Sequence, residues 1–340
     1  MQTVNVGIIG LRRLGGSIGL ALRRYNQSKE ARQKFAVTGY DPQERNSTSA
    51  KTMGACDTVA RSVSAAAQDK EIIVLALPFH EVEAAYELMG DGLRPGCVVL
   101  DTTLFQQPAV TWAKKYLNEE VYQVGITPVI NARYLFDGLD DIEHAAEDYF
   151  DKGMMLVSPS PAADRDAVQL ATDFSAILGA GLRFTDPAER DSWISVMEML
   201  PAALGVAVFD AISRQDHWDD VRRVGNPAFG QLTHHLLEVH PDALRDALFH
   251  DRAAVIRQID SVMQSLDTLR DLLAANDRDA VEALVVRAGD SFIEWLARRR
   301  SGEWEPSQKV EREGAGETLM SGLFGSALTK RLKRGTSGDS

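Results

Sequence analysis

The first residues with chemical promise lie in "VGIIGLRRLGGSIGLALRR", Val6–Arg24. In a G-x-G-x-x-G phosphate turn the first glycine makes the tight bend. The second lets the backbone approach a pyrophosphate, and the third lets the helix pack on the sheet. Gly10 and Gly15 match the first and third, Leu14 precedes Gly15, and the second position is Arg12. Two readings of Arg12 stay open. The side chain can swing outward and add a charge-assisted contact to a phosphate, or its bulk can block the approach. Asp41 ends the next apolar run, about thirty residues after Gly10, against a usual interval of about twenty. A carboxylate there could accept from ribose hydroxyls, which favours NAD. Arg45, a turn later, could instead hold the 2′-phosphate of NADP, which ranks second. A glycine-rich turn kept for packing alone is the bland alternative.

A second set of polar residues sits where predicted strands end. His80 follows Pro78, Thr102 and Thr103 follow Asp101, and Thr127 precedes Pro128. Ligands of doubly wound sheets bind at that carboxyl edge. His80 could act there as a base, or it simply starts a helix. The threonines could donate hydrogen bonds to a substrate or cap helices. Glu198 lies in an apolar helix, where a charge needs a partner or a shifted pKa. His234, His235 and His240 lack H-E-x-x-H spacing, so no metal site is expected.

Positioning these residues requires strands that alternate with helices. Val4–Ile9 is a continuous apolar run, as a buried parallel strand requires. "FAVTGYD", "EIIVLALP", "GCVVLDTT", "VYQVGITP", "GMMLVSPSP" and "GLRFTDP" continue the series to seven strands. The alternation predicts an α/β Rossmann-type, doubly wound parallel sheet over residues 1–186. From Pro187 to Arg300 the period is helical, which predicts an all-helical dimerisation and substrate domain over 187–300. Its run "SWISVMEMLPAALGVAVF" is apolar on most sides, as expected of a helix buried against a core or a second subunit. Residues 301–340 read as a flexible tail.

The chain has 340 residues, enough for two domains, with a formal net charge of −12. That balance argues against general nucleic-acid binding. Two cysteines without metal-ligand spacing suit a reducing cytoplasm. No apolar run of about 18 residues stands out, so no membrane span is expected.

In order and spacing, residues 4–300 resemble the prephenate/arogenate dehydrogenases of tyrosine biosynthesis. "GIIGLRRLGGSIGLALR" is similar to that family's opening strand, turn and helix. "TGYDPQERNSTSAKTMGACDTVARSVSAAAQDKEIIVLALP" is similar to its next span, and "ERDSWISVMEMLPAAL" to the start of its helical domain. The resemblance implies oxidation of a ring hydroxyl by hydride transfer from its carbon to NAD(P), with loss of carbon dioxide, in a homodimer. The catalytic motifs depart from it. The family's H-P pair reads Thr127-Pro128, and threonine is a poor general base near neutral pH. The family's D-x-x-S-x-K reads Asp101 to Gln106, with Leu104 for serine and Gln106 for lysine. Its S-H-L-P-H reads Glu198 to Ala202, and its arginine segment is not recognisable in "NPAFGQLTHHL". By motif position alone, Glu198, Arg133 and Arg190 are candidate substrate contacts. The catalytic candidates are Thr127, His80 and Thr103, and the cofactor candidates are Gly10, Arg12, Leu14, Gly15, Asp41 and Pro78. Two functions remain in view: an NAD(P)-dependent oxidoreductase of this type on a small-molecule substrate, and a catalytically silent binding or regulatory dimer.

Overall fold

The computed structural model describes residues 2–90 and 92–304. Eight strands form one sheet: β1 (Gln2–Ile9), β2 (Gln33–Tyr40), β3 (Thr58–Val59), β4 (Ile72–Leu75), β5 (Val98–Asp101), β6 (Tyr122–Val129), β7 (Met154–Pro159) and β8 (Gly181–Phe184). Their order is β3-β2-β1-β4-β5-β6-β7-β8. Every neighbouring pair is parallel except β6 and β7, which run antiparallel. The sheet is therefore mostly rather than wholly parallel. β3 adds one strand to the seven expected, since two residues are too few to show a period.

The helices beside the sheet are α1 (Arg13–Gln27), α2 (Glu44–Met53), α3 (Val63–Ala67), α4 (Phe79–Gly90), α5 (Gln106–Tyr116) and α6 (Arg165–Ile177). Strand order reverses between β1 and β4, the crevice where doubly wound sheets take ligands. The sheet is covered on both faces. One core gathers Val4, Val6 and Ile8 with Ile18 and Leu22, and the other gathers Ile9, Ile73 and Leu75 with Tyr86 and Met89. The small residues of α1 let it lie close: a Cβ on Gly15 would run into the Gly10 carbonyl, and one on Gly19 into the Ala55 carbonyl.

At "TDPAERD" the chain turns helical for local reasons. Asp186 caps α7 (Pro187–Ile194), accepting from the Ala188 N–H at 2.8 Å, and Pro187 occupies the first turn, where its missing donor costs nothing. A π-turn (Ser195–Met199) leads into α8 (Leu200–Ser213). Then come α9 (Trp218–Val221), α10 (Pro227–Thr233), α11 (His235–Glu238), α12 (Pro241–His250), α13 (Arg252–Ala274) and α14 (Arg278–Ser301). Pro187–Ser213 is long and apolar enough to cross a membrane by length and composition alone, with a mean hydropathy of 1.6 and 22% of the window buried. Glu198 and Pro201 interrupt the apolar run. Phe105, Met199, Ala247 and Val255 join the sheet edge to the helices. Ser301 closes α14, and the rest of the expected tail beyond residue 304 lies outside the described residues.

Candidate functional site

The glycine turn forms at the carboxyl end of β1. Gly10 adopts a left-handed φ of 98°, which glycine tolerates best. A Cβ there would also strike the Ala76 carbonyl. Asp41, at the end of β2, clamps this turn. Its carboxylate accepts from the Leu11 N–H at 2.7 Å, the Gln43 N–H at 2.9 Å and the Asn46 side chain at 3.0 Å. The residue is buried. Asp41 thus already holds three protein donors. Arg45 pairs with Glu143 at 3.0 Å.

Arg12 turns away from the glycine turn. Its guanidinium lies 3.0 Å from the Asp140 carboxylate and donates to the Glu238 carbonyl at 3.1 Å. The next residue, Arg13, is buried and donates twice to Asp137 at 2.7 Å. It also donates to the carbonyls of Leu139 at 2.6 Å and His144 at 3.1 Å. At the start of α1 the Arg13 N–H donates to the Asp140 carbonyl at 3.1 Å.

A cavity of about 270 Å³ opens between the sheet edge and the helices. Arg12, Leu14, Pro78 and Thr102 line one side, and Glu198, His235, Glu238 and His240 line the other. Arg12, Leu14 and Pro78 were expected at the site and meet here. Asp140 is half-buried and Glu198 exposed, and both line the cavity. Desolvation pushes Asp140 up to about 6 against the pull of Arg12, and it raises Glu198 against the pull of Arg190. Desolvation, with His234 alongside, lowers His235.

Thr102 and Glu198, also candidates, share this lining, whereas Thr127, Thr103, His80, Arg133 and Arg190 lie outside it. Thr127 is buried behind it, its hydroxyl accepting from Arg190 Nε at 2.7 Å. The Thr103 side chain is buried with no hydrogen-bond partner among the described residues, while its carbonyl accepts from Arg190 Nη2 at 2.9 Å. His80 stacks on His240, ring centroids 5.0 Å apart, so it reaches the cavity only through that ring. Arg133 is exposed and pairs with Asp148 at 3.2 Å. Arg190 is 1% exposed and also donates to the Leu104 carbonyl and to Asp191. Burial lowers the Arg190 pKa, and Asp191 opposes that shift.

Asp191, which the sequence reading passed over, caps α5 by accepting from the Gln106 and Gln107 N–H groups at 2.7 and 2.9 Å. Gln106, in the lysine position of the resembled motif, donates to the Asp101 and Thr103 carbonyls. Asp101 is fully buried. Desolvation raises it to about 6, against the Tyr86 hydroxyl, which donates to it at 2.6 Å. Asp140 and Glu238 were also missed. The acid-rich "FDGLDDIEH" was the available signal for Asp140, but only folding brings it to the start of α1. Among the described residues, no group of three His, Cys, Asp or Glu is placed to hold a metal.

The turn, the carboxylate closing β2 and the crevice fit a dinucleotide's shape. In this conformation the start of α1 does not fit its pyrophosphate, because Asp140 already occupies the Arg13 N–H and pairs with Arg12.

Residues 18–183 match the family described as prephenate dehydrogenase, nucleotide-binding domain. Among solved structures, the fold is similar to prephenate dehydrogenase from A. aeolicus in complex with hydroxyphenyl propionate and NAD+. That match has 18% identity and a TM-score of 0.69, covering 86% of this chain and 98% of that one. It is also similar to Synechocystis arogenate dehydrogenase, with 17% identity and a TM-score of 0.62, covering 86% and 100%. At these identities the likeness establishes the fold.

Proposed function

The chain belongs, through its nucleotide-binding domain, to the prephenate dehydrogenase family, and from that premise we propose that it is an NAD-dependent oxidoreductase with a rebuilt substrate pocket. The carrying observation is the cavity that joins Arg12, Leu14, Pro78 and Thr102 at the sheet edge to Glu198, His235 and His240 on the helices. The A. aeolicus relative was solved with NAD+ and hydroxyphenyl propionate, which supports a nicotinamide cofactor and a small ring acid or a relative of one. When bound, the nicotinamide supplies the hydride acceptor. The Gly10 and Gly15 turn would hold the pyrophosphate once its helix start is free, and Asp41 would face the ribose. Arg45, engaged by Glu143, is less available for a 2′-phosphate, which supports NAD over NADP.

The protein's own groups divide the remaining work. His240, held flat by His80, faces the cavity and takes the proton. Thr127 and Thr103 act as positioning residues through Arg190, which fixes the strand ends beneath the pocket. Family likeness and the exposed apolar faces of α13 and α14 support a homodimer through 187–300, in the cytoplasm. A second reading, a binding dimer without turnover, is favoured by one observation: the hold of Asp140 on the start of α1.

Calorimetry with NAD+ and NADP+, beside turnover assays on prephenate and arogenate, tests the proposal. We expect NAD+ to bind more tightly than NADP+, and Asp41→Ala to weaken it. Binding of neither dinucleotide would sink the oxidoreductase reading. Binding without turnover of any ring acid would favour the silent dimer.

A further inference from the structure

We propose that the cavity takes a ring compound whose side chain ends in a protonated amine, and that Glu198 is the residue that selects it. This rests on the reading of the cavity as the substrate pocket, and it narrows that reading to one class. The enclosed space of about 270 Å³ fixes where a ligand sits, and the charges on its walls fix which ligand. Its apolar lining, which includes Phe79, Leu104, Met199 and Leu244, suits the body of a ring. Its charged lining is one-sided. Arg12 stands against three carboxylates, those of Asp140, Glu198 and Glu238. Histidine is ordinarily neutral near pH 8, and burial favours the neutral form of His235 further. Arginine is then the counter-charge that remains.

A carboxylate end group would find every nearby cation already engaged. Arg12 lies 3.0 Å from Asp140 and 3.9 Å from Glu238, and it donates to the Glu238 carbonyl at 3.1 Å. Arg13 is buried and turned into Asp137 and the Leu139 and His144 carbonyls. Arg190, whose charge acts on Glu198, is 1% exposed, and its guanidinium is spent on Thr127, Thr103, Leu104 and Asp191. Glu198 itself forms no hydrogen bond or close ion pair among the described residues. An ammonium in the cavity therefore meets a carboxylate that no other group has claimed. A bound ring also covers that carboxylate from water, which strengthens the attraction between opposite charges. A carboxylate in the same place would face a like charge instead, which suppresses binding of the wrong ligand.

Calorimetry on the full chain at saturating NAD+ and about pH 8 is the test, with tyramine and hydroxyphenyl propionate as probes. The two probes share a phenol ring and a short alkyl chain, and they differ in the end group, ammonium against carboxylate. We expect the wild-type chain to bind tyramine at least about tenfold more tightly. Glu198→Gln keeps the shape of the side chain and removes its charge. It should weaken tyramine about tenfold and leave hydroxyphenyl propionate equal or tighter, with the melting temperature unchanged. Equal or tighter binding of hydroxyphenyl propionate by the wild-type chain overturns the proposal, and so does binding of neither probe; this comparison needs no variant. A preference for tyramine that survives in folded Glu198→Gln overturns the assignment to Glu198. In each of these cases the bound NAD+ leaves the dinucleotide reading standing. Failure of NAD+ to bind overturns that reading, and the selectivity with it.

Discussion

Apolar side chains meet opposite fates in the two halves of the molecule. In the sheet half, Val6, Ile8, Ile73 and Leu75 are fully buried, and polar groups that go inside, such as Asp41 and Asp101, find donors. On the 23-residue α13 only Ala254 and Val255 are buried, and on the 24-residue α14 only Arg299. Met263, Leu266, Leu273, Val285, Phe292 and Ile293 stand exposed there. Where such side chains gather into a large patch, the patch commonly marks an interaction surface. The large apolar side chains of the sheet half are mostly packed inside it, whereas those of α13 and α14 stand mostly on the surface of the single chain. Arg190 and Asp191 stand at the joint and tie α7 to the strand ends and to α5.

The largest effect should come from breaking that joint. Arg190→Ala leaves Asp191 buried without its cation. Removing one partner of a buried pair costs about 3–5 kcal/mol. Urea unfolding should show a loss of that size. A change below about 1 kcal/mol would mean that the apolar contacts of Phe105 and Met199 hold the halves together alone.

The same truncation made in each half sharpens the contrast. Ile73→Ala, at a fully buried site, should cost about 2–5 kcal/mol. Ile293→Ala, at a residue 66% exposed in the single chain, should change the stability of a dilute monomer by less than about 0.5 kcal/mol. Equal costs would erase the distinction between the halves.

Assembly gives the next test. Light scattering at micromolar concentration should report a dimer. Leu266→Asp should weaken it about a hundredfold, roughly 2.8 kcal/mol at 1.4 kcal/mol per tenfold, with the circular dichroism of the folded chain retained. A wild-type monomer would remove the need for a partner, and an unaffected dimer would move the interface off α13.

The smallest effect concerns pH within the sheet half. Burial raises Asp101 from 3.8 to about 6, so the folded state holds its proton longer than the unfolded state. The resulting loss of stability sets in as pH rises from about 4 through about 6. Tyr86→Phe removes a donor that favours the ionised carboxylate, so the loss should extend to higher pH. The variant should be less stable by about 1.5 kcal/mol at pH 7.5 and by less at pH 5, in paired denaturant titrations. A penalty that is constant with pH would show that Tyr86 does not act through the charge on Asp101.

Much of the sheet was legible in the residues. Continuous apolar runs such as Val4–Ile9 signal strands that are buried on both faces, and β1 proved to be central. The antiparallel turn at β7 was not legible, because side-chain alternation does not encode strand direction. The cavity was partly legible. Arg12, Leu14 and Pro78 share its lining because each follows the end of a parallel strand, a position the sequence pattern marks. Thr127 and Thr103 stand at strand ends as read, but Arg190 arrives from α7 and seals them behind the pocket.

By itself, then, the sequence determined the elements, their alternation, the glycine turn and the change to helices at Asp186. These depend on period, capping and φ preference, all of which act over a few residues. Only the tertiary structure decided what Arg12 does. Its partners, Asp140 and Glu238, are separated from it by most of the sheet or most of the chain. No local rule pairs charges at such distances. The pairing exists because the long connection from β6 to β7 and the end of α11 fold onto the same helix start, where positive charge on the turn draws their acids together.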